Sequence, residues 1–285
     1  MKKILVIGST GLLGKPATHQ LIRRGYEVSL LARNPAKTRA MFPHNKIIEG
    51  DVFDQDSLRD AFLGQDIVYL NLSIAQSSRM KELQPEREGI QNILAAAMRA
   101  KIQRIAYLSS LIKNYQGMQG FDWWALRIKN DALQKVKSSG IPYSIFYPST
   151  FMETFYNLVR GNTIYLVSGS RAPMWMIAAD DYGRQISRAF EIATGNQEFV
   201  FQGLDPYTWD EAARIIVEIN KKKKLKIRKA PMGLIKFLGN FSGKINYAGK
   251  ILTALNNYPE KFESEDTWKQ LGKPEITLAE FATGL

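Results

Sequence analysis

The chain has 285 residues, of which 45% are hydrophobic and 23% charged, and its formal net charge is +12. This composition indicates a globular protein with a sizeable core, built as one large domain or two small ones. Because the chain has no cysteine and only two histidines, disulfides and cysteine nucleophiles are excluded, and a histidine-rich metal site or a histidine-based triad is disfavoured.

A strand, a glycine-rich turn and a helix are predicted at the start of the chain, in MKKILVIGSTGLLGKPA. The apolar run Ile4 to Ile7 stops at Gly8, and Gly11 and Gly14 follow before a helical pattern from Leu13 to Arg24. In a dinucleotide-binding unit such glycines make the tight turn, admit the pyrophosphate and let the helix pack against the strand. Main-chain amides and the helix dipole then favour a phosphate at the helix start. We predict a dinucleotide site formed by Gly8, Ser9, Thr10, Gly11, Leu12, Leu13 and Gly14.

A basic segment, ARNPAKTR, follows the second predicted strand, Glu27 to Ala32. In dinucleotide folds an acidic residue about 20 residues after the glycines binds the ribose 2′-hydroxyl, whereas arginine suits a 2′-phosphate. No acidic residue stands between Val28 and Pro35, while Arg33 and Lys37 are close by. The sequence therefore favours NADP over NAD.

The next two predicted strands add candidate cofactor contacts. Lys46 to Glu49 leads to Asp51 and Val52, where Asp51 either approaches the adenine or caps the helix that starts near Ser57. Asp66 to Leu72 is almost continuously apolar, as expected of a parallel strand covered on both faces. Ser73 opens the polar stretch after this strand, which we expect to fold over a cofactor.

Strands five and six, Arg104 to Leu108 and Tyr143 to Tyr147, end in further candidates. Since ligands bind beyond the carboxyl ends of parallel strands, Ser109 and Ser110 are predicted on the functional edge. The aromatic loop from Leu111 to Trp124 either walls a substrate or only anchors the start of the helix that carries Lys129. Candidate cofactor contacts are Tyr147, which ends strand six, and Pro148 and Phe151, which follow it, with Phe151 available to cover a nicotinamide.

These stretches together resemble the NmrA-like group of atypical short-chain dehydrogenases/reductases, which is similar to isoflavone reductases and nucleoside-diphosphate-sugar epimerases. The matching segments are GSTGLLG, LLARNPAK, GDVFD, IQRIAYLSS, Lys129, IPYSIFYPSTFME and Asp180 to Gly183. The resemblance covers most of the chain and weakens after about Gly203. It implies an NAD(P)-binding Rossmann fold but no particular substrate.

The sequence departs from this superfamily at its catalytic helix. Members usually carry a tyrosine four residues before the lysine, so that both lie on one helix face and the lysine lowers the pKa of the phenol. Here that position is Ala125, which cannot carry a proton. Lys129 then either binds the nicotinamide ribose, acts as the base itself as the isoflavone-reductase relatives imply, or is a solvated helix residue. Tyr115 is an alternative source of a phenol.

The later part of the chain predicts a smaller unit. Strands are expected at Ile164 to Val167, Met174 to Ala178 and Glu198 to Gln202, and helices at Tyr182 to Thr194 and after Thr208, whose cap pairs with Glu211. The basic run KKKKLKIRK predicts an exposed edge strand, with nucleic-acid or membrane contact as the alternative. The segment MGLIKFLGNFSGKINYAGKILTAL has the spacing of a basic amphipathic helix. Such a helix either borders the cleft, forms a dimer face or lies on a membrane.

We therefore predict a doubly wound α/β fold, with a Rossmann domain over residues 1–152 and a smaller part over 153–285 that lines the substrate cleft. The favoured function is an NADP-dependent oxidoreductase acting on an unknown small molecule, with Ser109, Ser110 and Lys129 as catalytic candidates. The alternative is a non-catalytic NADP(H) sensor that reports redox state to a regulatory protein partner. We expect no specific nucleic-acid binding, no metal and no transmembrane or signal segment, hence a cytoplasmic protein, with a homodimer left open.

Overall fold

The computed structural model describes residues 2–192 and 194–285. Its strands form two sheets, one of seven strands in the order β3-β2-β1-β4-β5-β6-β9 and one of three in the order β10-β8-β7. The strands are β1 (Lys3–Ile7), β2 (Glu27–Ala32), β3 (Lys46–Glu49), β4 (Ile67–Leu70), β5 (Arg104–Leu108), β6 (Tyr143–Pro148), β7 (Val159–Arg160), β8 (Thr163–Val167), β9 (Gln197–Phe201) and β10 (Lys226–Ala230).

All pairs in the seven-stranded sheet are parallel, so the carboxyl ends of its strands share one edge. The chain runs outward from β1 through β2 to β3, then returns to place β4 on the other side of β1. This reversal leaves a crevice beyond β1 and β4, where doubly wound folds bind ligands. The predicted Rossmann-type α/β fold is confirmed.

Twelve α-helices cover these sheets within the described residues: α1 (Gly14–Arg23), α2 (Pro35–Met41), α3 (Gln55–Phe62), α4 (Ile90–Arg99), α5 (Trp124–Lys137), α6 (Thr154–Leu158), α7 (Ala179–Ala189), α8 (Trp209–Ile219), α9 (Met232–Gly239), α10 (Gly243–Asn257), α11 (Glu265–Leu271) and α12 (Leu278–Gly284). A π-helical turn, Pro85–Gly89, precedes α4, and two 3₁₀ turns, Leu111–Tyr115 and Met118–Gly120, precede α5. No helix of the described ranges is long and apolar enough to cross a bilayer.

The core lies on both faces of the large sheet. One apolar cluster joins the sheet to α3, α4 and α5, and another joins the opposite face to α1 and α7. A third cluster packs the small sheet against α8 and α12. Because β9 and α7 come from after residue 152 yet belong to these layers, the two parts of the chain interleave; the boundary at residue 152 itself stays a prediction.

Of the predictions for the later part of the chain, some agree with the structure and others do not. The capping box of Thr208 and Glu211 is present at the start of α8, and the basic run supplies β10 at the edge of the small sheet. The predicted strand Met174 to Ala178 is wrong, because this segment forms only isolated bridges through Met174 and Ile177. The predicted helix Tyr182 to Thr194 ends at Ala189 as α7, and Ala193 lies outside the described residues.

Candidate functional site

A first cavity of about 290 Å³ opens at the carboxyl ends of β1, β2 and β4. It collects most of the residues that the sequence assigned to a dinucleotide. Those lining it are Gly8, Ser9, Thr10, Arg33, Lys37, Asp51, Val52, Leu72 and Ser73.

The three glycines of the turn after β1 differ in what surrounds them. Gly8 has a φ of +91°, and a Cβ there would lie 2.2 Å from the Asn71 carbonyl oxygen. A Cβ on Gly14 would lie 2.0 Å from the Gly8 carbonyl oxygen, so this glycine allows α1 to pack against the turn. A Cβ on Gly11 would meet only one described atom within 4 Å, the Gly8 oxygen at 3.6 Å. The protein itself therefore requires glycine at two positions and leaves open space at the third.

Two exposed cations border this cavity at the end of β2. Arg33 and Lys37 are both exposed and line it, and neither forms an ion pair with the described residues. The side chain of Asn34 accepts a hydrogen bond from the Lys37 amide at 3.0 Å and so caps α2. The positive charge at this corner is therefore available to an anionic group.

Asp51 does not cap the helix near Ser57, so that alternative is wrong. Its carboxylate accepts a hydrogen bond from the Phe53 amide at 3.1 Å, within the turn that borders the first cavity. The cap of α3 is Asp54, whose carboxylate accepts from the Asp56 amide at 3.0 Å.

A second cavity of about 250 Å³ adjoins the first, and both are lined by Asn71, Leu72 and Ser73. The two cavities therefore form one continuous groove along the carboxyl edge of the sheet. The other predicted site residues that line the second cavity are Leu13, Ser109, Ser110, Lys129, Pro148 and Phe151.

The two predicted serines have different surroundings. Ser110 begins a 3₁₀ turn, and its hydroxyl accepts a hydrogen bond from the Ile112 amide at 3.3 Å. Ser109 is only 3% exposed, and its hydroxyl has no partner among the described residues although the residue lines the cavity. Buried hydroxyls normally form hydrogen bonds, so the Ser109 hydroxyl is available to a polar group that enters the cavity.

Lys129 is not a solvated surface residue. Its side chain is 18% exposed, and its ammonium donates to Oε1 of Glu86, which is 1% exposed, at 2.5 Å. The same carboxylate oxygen accepts from the Tyr107 hydroxyl at 2.5 Å. Burial, together with the Glu86 carboxylate, raises the pKa of Tyr107 well above its ordinary value, so the phenol stays protonated and donates.

Other predicted residues lie away from the cavities. The Tyr147 hydroxyl donates to Glu198 at 2.7 Å, and Tyr147 lines neither cavity. Leu12 is 43% exposed and also lines neither. Tyr115 is buried against Phe121 with its hydroxyl on Gln119, so it does not replace a phenol beside Lys129.

The sequence reasoning missed polar groups that long-range packing brings to the groove. Glu260 and Ser149 line the second cavity, and the Ser149 hydroxyl donates to the Glu260 carboxylate at 2.9 Å. Burial raises the pKa of Glu260, while hydrogen bonds from Gln202, Ser149 and the Trp175 amide oppose that shift. Glu86 was missed as well, and its only local signal is its place in the polar stretch after β4.

Comparisons with known proteins agree with this geometry. Photosystem II assembly factor Ycf39 of Trieres chinensis is 23% identical over 256 residues, covering 87% of this chain and 78% of that protein. The NADPH-dependent quinone oxidoreductase QOR2 of Escherichia coli, solved with NADPH, is 19% identical with a TM-score of 0.77 and 99% of each chain covered. The Citrobacter sp. triphenylmethane reductase solved with NADP(H) is 18% identical with a TM-score of 0.75, again with 99% of each chain covered.

At these identities the solved structures establish a shared fold. A family described as NAD(P)H-binding matches residues 8–181, more than half of the chain, from the first glycine of the turn to the start of α7. This range includes nearly every residue that lines the first cavity and confirms the NAD(P)-binding fold predicted from the sequence. The chain belongs to the NAD(P)H-binding family.

Proposed function

We propose that this chain is an NADPH-dependent reductase that acts on a small and largely apolar molecule in the second cavity. The observation that carries the proposal is the continuous groove. Within the described residues it has cations without an ion-pair partner at one end and a buried hydroxyl without a hydrogen-bond partner at the other. The NADPH and NADP(H) named with the two reductases of the same fold support the choice of cofactor.

Two features at the carboxyl edge of the sheet fit such a cofactor. The open space above Gly11 would admit the diphosphate, which the amides at the start of α1 would bind. Arg33 and Lys37 would bind the 2′-phosphate, since guanidinium and ammonium groups pair readily with phosphate. When bound, the reduced nicotinamide supplies a hydride.

The residues of the second cavity would orient the substrate and exclude water. Apolar side chains of Leu111, Phe151 and Leu255 line it and favour an apolar body. The Ser109 hydroxyl would donate a hydrogen bond to a substrate oxygen. The Lys129 ammonium has three donors, of which Glu86 accepts one, so the others would be available to the ribose or the substrate.

Calorimetric titration with NADPH and NADH tests the cofactor assignment. We expect tighter binding of NADPH, and Arg33→Ala should weaken it about tenfold or more while leaving NADH affinity unchanged. Arg39→Ala is the matched control, because Arg39 is an exposed cation on the helix that follows, α2, but does not line the cavity. Equal affinities for the two cofactors would remove the NADPH assignment. Oxidation of NADPH by quinones and triphenylmethane dyes then tests turnover.

A second candidate function is a non-catalytic NADP(H) sensor. It is favoured by Ala125, which is 6% exposed and occupies the position where the resembling superfamily carries its tyrosine. The Ycf39 relatives are named assembly factors, which also supports a binding role. Partner capture that depends on the NADPH/NADP⁺ ratio, with no turnover of any substrate class, would favour this candidate over the reductase.

A further inference from the structure

Helix α9 and the turn after it present an apolar stripe to solvent. Leu234, Phe237, Leu238 and Phe241 follow the i, i+3, i+4, i+7 spacing of one helix face, with exposed fractions of 47%, 61%, 38% and 77%. Phe237 and Phe241 also contact each other, with ring centroids 5.5 Å apart. We call these four residues the α9 stripe.

The other side of α9 is the side that packs within the protein. Gly239 is the buried residue of this helix, and a Cβ there would lie 3.1 Å from the Cα of Asn246 on α10. A surface helix normally turns its apolar stripe toward the core. Here the half-buried Met232 and Ile235 lie on the inner side, and α9 carries a second apolar face that is exposed. The α9 stripe is therefore suited to a contact outside the described part of the chain.

The chain segment that contains the stripe carries charges of a single sign. Residues 219–259 contain ten lysines and arginines and no aspartate or glutamate, in a chain whose net charge is +12. Lys236 lies within α9 and Lys244 near the start of α10, and neither forms an ion pair with the described residues. Lys226 and Arg228 are exposed on β10, the strand that leads into α9. The stripe is therefore embedded in a cationic segment that contains no acidic residue.

We propose that the α9 stripe and its surrounding cations dock on an anionic lipid surface. Apolar side chains on one helix face enter the boundary between headgroups and acyl chains, while lysines pair with anionic headgroups. A second copy of this chain is disfavoured as the occupant, because two segments of ten cations would repel each other. A nucleic acid offers phosphates but no apolar phase for Leu234 and Leu238. The proposal does not depend on the proposed reductase activity.

Cosedimentation of the full chain with vesicles tests this proposal. We expect binding to vesicles of phosphatidylcholine mixed with phosphatidylglycerol, little binding to phosphatidylcholine alone, and weaker binding as salt is raised. Phe237→Ser/Phe241→Ser should lower the partition coefficient about tenfold or more, because two buried rings are lost. Lys236→Gln/Lys244→Gln should lower it by a similar factor.

Matched controls distinguish binding through the α9 stripe from nonspecific binding through any exposed apolar or cationic side chain. Leu63→Ser/Met98→Ser removes two side chains that are 64% and 55% exposed elsewhere, and Lys46→Gln/Lys101→Gln removes two exposed cations elsewhere. Both should keep wild-type partitioning, and circular dichroism with thermal melting checks that every variant is folded. The proposal is overturned if wild-type protein ignores anionic vesicles, if the stripe variants bind like wild type, or if only poly(U) or an acidic protein is bound. Self-association that the stripe variants abolish, without vesicle binding, overturns it equally.

Discussion

Glu86 determines how Lys129 is held beside the second cavity. The pair is largely buried, and its carboxylate also accepts from Tyr107. Removing one member of such a pair leaves an uncompensated charge, which destabilises more than removing both. The position of Lys129 therefore depends on a residue that the sequence places far away, in the π-helical turn before α4.

Lys129→Ala should thus affect both stability and turnover. We expect the free energy of unfolding to fall by about 2 kcal/mol or more, because Glu86 is left buried without its cation. Glu86→Gln/Lys129→Met should recover stability to within about 1 kcal/mol of wild type, because no charge remains to be compensated. If Lys129 serves the reaction, both variants lack NADPH turnover.

Denaturant unfolding and steady-state kinetics on the same samples separate these two effects. Lys135→Ala, also on α5, is the matched control and should change the free energy of unfolding by less than about 1 kcal/mol. Full activity in the double variant would show that Lys129 is a structural residue only. A single variant as stable as wild type would contradict the account of the ion pair.

At the scale of elements, the fold requires two of the glycines in the turn between β1 and α1, whereas the third leaves space for a ligand. Gly14→Ala should destabilise the protein by about 2 kcal/mol or more, because its Cβ would clash with backbone at Gly8. Gly11→Ala should leave stability within about 0.5 kcal/mol of wild type, because its Cβ meets no described atom closer than 3.6 Å. The affinity of the Gly11→Ala variant for NADPH should nevertheless fall, and calorimetric titration measures this change. Unchanged affinity in Gly11→Ala would remove the diphosphate from this turn.

The same element scale shows what could be predicted from sequence. β2, β3 and β5 match their predicted bounds, because each is a short run centred on apolar residues. Met174 to Ala178 is equally apolar, but its segment bends where the Met176 amide donates to the Met174 carbonyl. Apolar composition predicts burial there and does not predict a continuous partner strand.

Some residues of the candidate site could likewise be predicted from the sequence and others could not. Gly8 and Arg33 were predictable, because a turn and the end of a strand are local features that fix their place at the sheet edge. Glu86 and Glu260 were not, since Glu86 holds Lys129 and Glu260 lines the second cavity only through contacts between distant segments. Tyr147 was assigned to the cofactor as the last residue of predicted strand six, yet its hydroxyl reaches Glu198 on the neighbouring strand β9.

At the scale of the whole molecule, Glu153 connects the two interleaved parts of the chain. Its carboxylate accepts a hydrogen bond from the Ala179 amide at 2.9 Å, which ties the segment after β6 to the start of α7. Its second carboxylate oxygen is buried without a partner among the described residues. Burial raises the pKa of Glu153 to about 7, with Asp180 and Asp181 adding to the shift.

A raised pKa in a carboxylic acid makes the folded state bind the proton more tightly than the unfolded chain does. Between the ordinary value of 4.5 and about 7, stability therefore falls as pH rises, and above that range the whole contribution is lost. Glu153→Gln keeps an acceptor for the Ala179 amide and removes the titration. We expect the variant to match wild type near about pH 4 and to exceed it by up to about 3 kcal/mol near about pH 8.

Denaturant unfolding across this pH range provides the measurement, and a carboxylate with the opposite shift provides the control. Arg24 holds the pKa of Glu191 below its ordinary value, so Glu191 contributes stability that is present at neutral pH and lost in acid. Glu191→Gln should therefore be less stable than wild type at neutral pH and equal to it in acid, the reverse of Glu153→Gln. Parallel pH profiles for wild type and Glu153→Gln would show that this carboxylate is solvated in the folded protein. The junction between α7 and the segment after β6 would then be open to water.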